Sequence, residues 1–360
     1  MQREKYLQII ESIDVIEGRF QKVERIDSNG GNGVFSLLFS AYDLQTGKKI
    51  ALKFYDPNKD HDWERVQRFH READILKTLE DEPYVINCLD GVCTVQRTMI
   101  ESSSRIEVPI TLKFIPMALA DYSVEEFIYM RNPSPLGCLL FFKEMMKAVI
   151  RVHKRQICHR DLKPSNFLVS GKDIWLSDFG TAKCMDSSMP DIRASYDLPV
   201  GDKWYVAPET LFSLGLADAN VFLSDMFSMG AILFEMFTRT ILNTHIRSRA
   251  NLGLLFRLNQ VLSTMRGQNK LETFKGVADQ LARSIRLPEI YSYNDFVPNS
   301  IKLHLNELYK RLAAINFQRR LRDFEVIHRK IDICIKILQN ERIYQVWLER
   351  KKRFRNARKS

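Results

Sequence analysis

One stretch in the middle of the chain constrains its fold and chemistry more than any other. Residues 159–166 read His-Arg-Asp-Leu-Lys-Pro-Ser-Asn, and Asp-Phe-Gly begins twelve residues after Asn166. Asp161 can accept the proton of an attacking hydroxyl, and Lys163 can neutralise charge on a transferred phosphate. Asn166 and Asp178 carry oxygen ligands of the kind that Mg²⁺ prefers. Together these side chains predict a phosphoryl-transfer site.

A glycine-containing turn near the N-terminus suits phosphate binding. Residues 20–26 alternate in polarity and an apolar run follows at 34–41, so the sequence predicts a β-hairpin with Gly31 and Gly33 at its tip. Glycines there let backbone N–H groups approach phosphates, because no Cβ intervenes. Taken alone, such a hairpin is more often an ordinary turn.

A lysine stands inside a short apolar run at residues 50–54. If this run is a strand, Ala51 and Lys53 share one face. A lysine buried in that way needs an anionic partner. The alternative is an edge lysine whose ammonium group reaches solvent.

The next segment supplies a partner for that lysine. Apolar residues recur there at spacings of three and four, which predicts a helix with one apolar stripe: Trp63, Val66, Phe69, Ala73, Leu76 and Leu79. Glu72 lies on the same face, so we predict an ion pair between Glu72 and Lys53. The alternative is that Glu72 rims the core and meets only water. Arg71 and Asp74 lie off the stripe and are predicted to be solvated.

Three further segments follow downstream. Residues 201–209 read Gly-Asp-Lys-Trp-Tyr-Val-Ala-Pro-Glu. Residues 224–237 begin with Ser-Asp and are apolar nearly all round, which is typical of a helix buried in a core. Residues 316–320 read Asn-Phe-Gln-Arg-Arg.

In this order and spacing the motifs resemble those of the eukaryotic-type protein kinases, and the resemblance covers residues 18–330. Lys163 in the catalytic loop is typical of the Ser/Thr branch. The Ala-Pro-Glu segment favours a protein substrate, because small-molecule kinases usually lack it. The resemblance implies an α+β, bilobal protein-kinase fold. Its small β-rich lobe contains one major helix, and its larger lobe is mainly helical.

The resemblance implies ATP as the cofactor, with Mg²⁺ on Asn166 and Asp178; Mn²⁺ is also compatible with these ligands. The residues implied to surround the nucleotide are Ile26, Gly31, Gly33, Ala51, Lys53, Ile115, Met117 and Leu168. Phe114 aligns with the gatekeeper position beside the adenine. Pro116 has no backbone N–H, so the adenine contacts are expected from the residues on either side of it.

Catalytic roles follow from the same resemblance. They fall on Asp161, Lys163, Lys53 and Glu72, and Lys53 would hold the α- and β-phosphates while it pairs with Glu72. The chain would thus transfer the γ-phosphate of ATP to Ser/Thr hydroxyls of proteins.

Two buried braces and one switch are also implied. Asp225 would hold the backbone of the catalytic loop, and Arg320 would pair with Glu209. Arg160 would clasp a phosphate on the activation segment, whose candidate acceptors are Thr181, Ser187, Ser188, Ser195 and Tyr196. The chain could therefore phosphorylate its own activation segment.

Two residues depart from the family pattern. Ser36 stands where a third glycine is usual, and Asp202 replaces a hydroxyl residue. The Asp202 carboxylate could pair with Lys163, but it also adds negative charge near Asp161, which disfavours ionisation. These departures keep open a second function, a pseudokinase scaffold that binds nucleotide and partners without efficient transfer.

Composition agrees with an intracellular globular protein. The chain has 360 residues, of which 45% are hydrophobic, and no run is predicted to span a bilayer. The N-terminus lacks a signal-peptide core. Six cysteines are scattered without a Cys-x-x-Cys pair, which favours a reduced compartment. We expect a cytoplasmic location; a nuclear one is also compatible with the basic C-terminus.

The net charge of +10 is concentrated at that C-terminus. Residues 350–360 read Arg-Lys-Lys-Arg-Phe-Arg-Asn-Ala-Arg-Lys-Ser and resemble tails that bind nucleic acid or acidic surfaces. The plainer alternative is a solvated helix end. If binding by this tail were the main function, the chain would be a module that binds nucleic acid or an acidic surface such as a membrane. The sequence does not indicate an oligomeric state.

The predicted organisation has four parts. Residues 1–17 form an N-terminal helical extension, and residues 18–117 form the small lobe. Residues 118–335 form the large lobe, and residues 336–360 form a terminal helix with the basic tail. Within the large lobe, residues 239–305 show helical patterns without recognisable chemistry.

Overall fold

A computed structural model describes residues 2–26, 36–56, 63–100, 107–185, 201–212, 214 and 218–357. The chain divides into two compact units. The first unit contains Met1–Ser123 and Ser165–Arg193, and the second contains Val124–Pro164 and Ala194–Ser360. The chain thus crosses between units after Pro164, inside the 159–166 motif, so the motif residues fall in both units.

The elements are numbered in chain order. The strands are β1 (Val15–Ile16), β2 (Phe20–Arg25), β3 (Ser36–Asp43), β4 (Lys48–Tyr55), β5 (Cys93–Ile100), β6 (Glu107–Ala118), β7 (Tyr122–Ser123), β8 (Ile157–Cys158), β9 (Phe167–Ser170), β10 (Asp173–Leu176) and β11 (Lys183–Cys184). The helices are α1 (Gln2–Glu11), α2 (Trp63–Thr78), α3 (Val124–Met130), α4 (Pro135–Lys154), α5 (Pro208–Leu211), α6 (Asp218–Thr238), α7 (Leu242–Ile246), α8 (Arg249–Ser263), α9 (Gly267–Ser284), α10 (Lys302–Leu312) and α11 (Phe324–Ala357).

The first unit is built on a six-stranded antiparallel sheet in the order β1-β2-β3-β4-β6-β5. One face of this sheet is covered by α1, whose Leu7 and Ile10 are buried in the same core as Phe54 and Phe114. The rings of Phe54 and Phe114 lie 5.1 Å apart. The N-terminal helix therefore completes the core of the first unit.

The opposite face of the sheet is the one that carries the lysine. Residues directly opposite in neighbouring strands point to the same side of a sheet, and Lys53 lies opposite Leu38 in β3 and Ile115 in β6. Phe114 lies opposite Phe54 and points into the α1 core. The gatekeeper assignment for Phe114 is therefore wrong, because its side chain lies on the other face from Lys53.

The long helix of the first unit, α2, buries the predicted stripe. Phe69, Ala73 and Leu76 are buried, and Asp74 is exposed as expected. Arg71 was expected in solvent but is only 7% exposed. The buried face of α2 is therefore wider than its apolar stripe, because the side chain of Arg71 is also buried.

The second unit is mainly helical around α6. Phe227, Phe234 and Phe237 of this helix are fully buried. At Gly230 a Cβ would lie 2.6 Å from the backbone nitrogen of Ala313, so a glycine is required for this close packing. The predicted core helix is confirmed.

One stretch of the described residues, Val221–Thr238 within α6, is long and apolar enough to cross a membrane. The expectation that no run has this length is therefore wrong. The stretch is 94% buried inside the protein, however. Burial of that extent is what a helix at the centre of a globular core shows.

The last helix, α11, docks on the second unit through its first half. Its buried side chains are Ile327, Ile331, Cys334, Ile335 and Leu338. Ile343, farther along, is 67% exposed. The boundary predicted at residue 336 falls inside this continuous helix, so the chain makes no structural break there.

Candidate active site

An ion-pair network at the face of the main sheet defines the part of the site in the first unit. The Nζ atom of Lys53 lies 2.7 and 2.6 Å from the two carboxylate oxygens of Glu72. It also lies 3.1 Å from Oδ1 of Asp178. The predicted pair between Lys53 and Glu72 is confirmed, and the structure adds Asp178 as a second partner.

Burial makes this network electrostatically strong. The side chains of Lys53 and Glu72 are 11% and 3% exposed, whereas that of Asp178 is 43% exposed. Burial by itself would lower the pKa of Lys53, but Asp178 and Glu72 outweigh it and raise that pKa. Lys53 is therefore held as an ammonium group whose position is fixed by two carboxylates.

The proposed metal ligands belong to the same unit. Ser177 donates from its backbone N–H and its hydroxyl to the carbonyl oxygen of Asn166, at 2.9 and 3.0 Å. This tie links the start of β9 to the residue before Asp178. Asp178 has a left-handed backbone (φ 64°), and its side chain is 43% exposed. A carboxylate and an amide oxygen are hard donors that fit Mg²⁺.

The residues predicted around the nucleotide divide into three groups. Ala51, Lys53, Ile115 and Met117 share one face of the sheet, since Ala51 lies opposite Met117 and Lys53 lies opposite Ile115. Ile26 donates its N–H to Leu38, which is opposite Lys53, and so continues this face at the sheet's far side. Leu168 lies in β9 opposite Ser123, and Gly31 and Gly33 lie outside the described residues.

The backbone groups of Ile115 and Met117 are not available for the adenine contacts that were expected of them. Pro116 accepts a bond from Leu89, and Ala118 donates one to Asn87. Backbone groups alternate between the two sides of a strand, so the polar groups of Ile115 and Met117 face β4. The side chains of both residues lie on the face of Lys53, but the predicted backbone contacts are wrong.

The hydrogen-bonded strand β6 ends only at Ala118. Leu119 and Ala120 connect β6 to Asp121, which donates its N–H to Val169 at 2.8 Å. This short connection is where an adenine ring could meet backbone N–H and C=O groups. Sequence reasoning missed it because the length of β6 is not marked by any breaker residue.

The catalytic-loop side chains lie in the second unit. Lys163 Nζ is 3.1 Å from Oδ2 of Asp161. The backbone N–H of Asp202 donates to Oδ1 of Asp161 at 2.6 Å. The Asp202 carboxylate accepts the N–H of Trp204 at 2.9 Å. The residue that departs from the family pattern therefore contacts Asp161 through its backbone N–H, whereas its carboxylate accepts a bond from Trp204.

A glycine makes this contact possible. Gly201 has a φ of +94°, and a Cβ there would lie 2.3 Å from the carbonyl oxygen of Arg160. Only glycine lets the backbone pass so close to the catalytic loop. The Gly-Asp pair is thus what seats the 201–206 segment against Asp161.

The buried carboxylate of Asp225 fixes the backbone of the 159–166 loop. Asp225 of α6 accepts the backbone N–H groups of His159 and Arg160, both at 2.9 Å, and lies 2.8 Å from Nε2 of His153. Arg160 has a positive φ of 67°, which costs energy for a residue with a Cβ. Burial by itself would raise the pKa of Asp225, but His153 and these donors lower it. The predicted brace is confirmed; His153 gave no signal in the sequence.

Removal of this charge is expected to loosen the loop. We expect Asp225→Asn to destabilise the protein by about 1.5–3 kcal/mol, because an amide cannot accept from all the donors that a buried carboxylate satisfies. Hydrogen exchange at the amides of His159 and Arg160 should become faster. The matched control is Asp332→Asn at a surface ion pair with Lys143, where little change is expected. Unchanged exchange at both amides in Asp225→Asn would contradict the brace.

A second buried pair ties the end of the 201–209 segment to the core. Arg320 Nη2 lies 2.6 Å from Oε2 of Glu209, and Nη1 pairs with the other oxygen. Both side chains are fully buried. Arg319 instead pairs with exposed Asp279, so the choice of Arg320 over its neighbour is confirmed.

Comparison with known proteins shows the family of the chain. A model of the protein kinase domain matches residues 25–330. The chain therefore belongs to the protein kinase family, and the predicted α+β, bilobal class of fold is confirmed, with one β-rich and one mainly helical unit.

Curated relatives are Ser/Thr kinases of several lineages. Cyclin-dependent kinase 4 of Xenopus laevis is 31% identical over 62% of this chain and 65% of its own length. Mitogen-activated protein kinase 4 of Arabidopsis thaliana is 30% identical over 58% of this chain and 51% of its own length. A probable serine/threonine-protein kinase of Dictyostelium discoideum is 28% identical over 58% of this chain and 38% of its own length. The chain thus spans between about a third and two thirds of these relatives.

Proposed function

We propose that the chain is an active Ser/Thr protein kinase that transfers the γ-phosphate of ATP to hydroxyls of protein substrates. The observation that carries this proposal is the ammonium group of Lys53, fixed at 2.6 Å from Glu72 and 3.1 Å from Asp178. A scaffold that only packs would gain little from two carboxylates around one buried lysine. A site that must hold phosphates needs a positioned cation.

The nucleotide would lie on the face of the main sheet that carries Lys53. Ala51 and Met117 would pack on the adenine, and backbone groups of Leu119 and Ala120 would bind its polar edge. Lys53 would hold the phosphates. Asn166 and Asp178 would hold Mg²⁺, which when bound supplies charge neutralisation for the phosphates.

Asp161 would orient the acceptor hydroxyl and receive its proton. The N–H of Asp202 and the ammonium of Lys163 both contact this carboxylate, and these contacts would hold its orientation. Lys163 would also neutralise the negative charge that develops on the phosphoryl oxygens. Most of the acceleration would come from such positioning and electrostatics.

Transfer of labelled γ-phosphate to Ser, Thr and Tyr peptides tests this proposal. We expect incorporation on Ser and Thr, dependent on Mg²⁺ or Mn²⁺, and we expect Asp178→Asn to lose it. Asp173→Asn, an exposed aspartate in β10, is the matched control. The pseudokinase alternative makes the opposite forecast: MgATP would raise the melting temperature, and no peptide would be labelled.

The chain could also phosphorylate its own activation segment. Thr181 follows Asp-Phe-Gly within the described residues, whereas Ser187, Ser188, Ser195 and Tyr196 lie outside them. Mass spectrometry of the protein after incubation with ATP would locate any added phosphate. Full activity without phosphate between residues 181 and 202 would remove this part of the proposal.

The basic C-terminus adds a partner to the proposal. Helix α11 runs to Ala357, and its last residues carry the positive charge that suits nucleic acid or another acidic surface. We infer a cytoplasmic protein whose tail sets its position in the cell, with a nuclear location as the second outcome. Imaging of the full chain and of a chain ending at Arg342 would separate these outcomes.

A further inference from the structure

We propose that Lys203, Trp204 and Arg247 form an anion-binding subsite that selects substrates with an acidic side chain close to the acceptor hydroxyl. This inference rests on the proposed function and names a class of substrate for it. All three residues belong to the second unit, which also contains Asp161.

Two cations converge on one exposed indole ring. Lys203 Nζ lies 5.1 Å from the ring centroid of Trp204, and the guanidinium carbon of Arg247 lies 5.6 Å from it. Lys203 is exposed, and Trp204 is 36% exposed. Two like charges beside one small ring repel each other, so the arrangement favours an anion between or beside them.

Neither cation has a carboxylate partner within the part of the chain that the structure describes. The Nη1 atom of Arg247 is buried and has no hydrogen-bond acceptor there. A buried, unsatisfied donor on a charged group is costly, and a cation–π contact at an exposed site offsets only part of this cost. The nearest carboxylate in the segment, Asp202, is already used by the N–H of Trp204.

The two cations are held on one rigid frame. The side-chain amide of Asn243 donates to the carbonyl oxygens of Lys203 at 3.2 Å and Val206 at 2.9 Å. The carbonyl oxygen of Asn243 accepts the N–H of Arg247 at 2.9 Å. One buried residue of α7 therefore fixes the backbone of both cations, and this makes the site preorganised for a ligand.

The frame lies next to the catalytic aspartate. Asp202 donates its N–H to Asp161 at 2.6 Å, and Lys203 is the next residue in the chain. An extended peptide rises about 3.3 Å per residue, so an anion on Lys203 and Arg247 would lie within about three residues of the acceptor. A carboxylate of Asp or Glu and a phosphate of phosphoserine share the required charge and acceptor geometry.

Binding of labelled peptides to the full chain tests this subsite without requiring catalysis. Each peptide carries alanine in place of the acceptor and one Glu, Lys or phosphoserine at one of the three positions on either side. Fluorescence anisotropy gives the Kd, and the same series with a serine acceptor gives kcat/KM. We expect at least one position where Glu binds about tenfold more tightly than Lys. Phosphoserine there should bind at least as tightly as Glu.

The variants separate the subsite from general damage. Lys203→Gln and Arg247→Gln should reduce the Glu-to-Lys ratio towards one, and Arg247→Glu should invert it. An inverted ratio means that the variant prefers Lys to Glu. An unfolded protein would lose both preferences and could not gain this one. Arg257→Gln, at an exposed arginine of α8, is the matched control and should keep the ratio of the unaltered protein.

The outcomes distinguish this inference from the function on which it rests. A Glu preference in binding without any transfer would support the subsite and refute the active kinase. Transfer without preference for an anion at any position would refute the subsite alone. A Glu preference that survives Arg247→Gln and Arg247→Glu would also refute it, because the anion would then bind elsewhere. A preference for phosphoserine without one for Glu would restrict the subsite to phosphorylated substrates and overturn the acidic-residue assignment.

Discussion

Replacing Asp161 by asparagine is expected to lower kcat for phosphoryl transfer by about 10²- to 10⁴-fold, the usual worth of a positioned proton acceptor. The amide cannot accept the hydroxyl proton, although its shape is nearly that of the carboxylate. It can still receive the N–H of Asp202, which lies 2.6 Å from Oδ1 in the unaltered protein. The loss should therefore be in chemistry rather than in folding.

The measurement is kcat with a saturating Ser peptide, together with the Kd for MgATP. We expect the Kd to stay within about twofold, because in the proposed mechanism nucleotide binding depends on Lys53 and on the metal ligands. Asp173→Asn again serves as the control for an aspartate-to-asparagine change. A variant with full kcat would show that Asp161 is not the proton acceptor.

Breaking the buried pair of Glu209 and Arg320 is expected to destabilise the protein by about 3–5 kcal/mol. Glu209→Leu leaves the guanidinium of Arg320 buried without its carboxylate. That guanidinium also donates to the carbonyl oxygens of Ala314 and Leu223, at 2.8 and 2.9 Å, so it cannot easily turn towards water. Denaturant unfolding of the full chain measures the change in free energy.

A double variant gives this prediction its control. Glu209→Leu combined with Arg320→Met removes both charges and keeps an apolar filling of similar volume. We expect the double variant to be more stable than Glu209→Leu alone, because no unpaired charge remains. Equal losses in the single and double variants would mean that packing, rather than charge, sets the cost.

Local patterns explain what the sequence predicted well. The pair of Lys53 and Glu72 follows from a strand face and a helix stripe, and both are short-range periodicities. The buried helix around Phe234 follows in the same way from an apolar surface all round. The choice of Arg320 for Glu209 came from the family motif, and the structure agrees with it.

Strand register explains what the sequence could not give. Whether Phe114 or Met117 shares the face of Lys53 depends on a shift of one residue between β4 and β6, and such a shift inverts every side chain. No turn residue marks the end of β6, so the connection at Leu119 had no signal. Arg71 was misplaced for a different reason: Nε and Nη1 of its guanidinium group are themselves buried, which its charge does not suggest.

The contacts of Asp225 connect the buried helix α6 of the second unit to the loop that carries Asp161. A carboxylate on the central helix fixes the backbone on which Asp161 stands. A substitution that tilts or shifts this helix by a fraction of an ångström is expected to move the Asp161 carboxylate with it. If the proposed function is right, conservative replacements of the buried phenylalanines of α6 should therefore lower kcat before they measurably lower the free energy of unfolding.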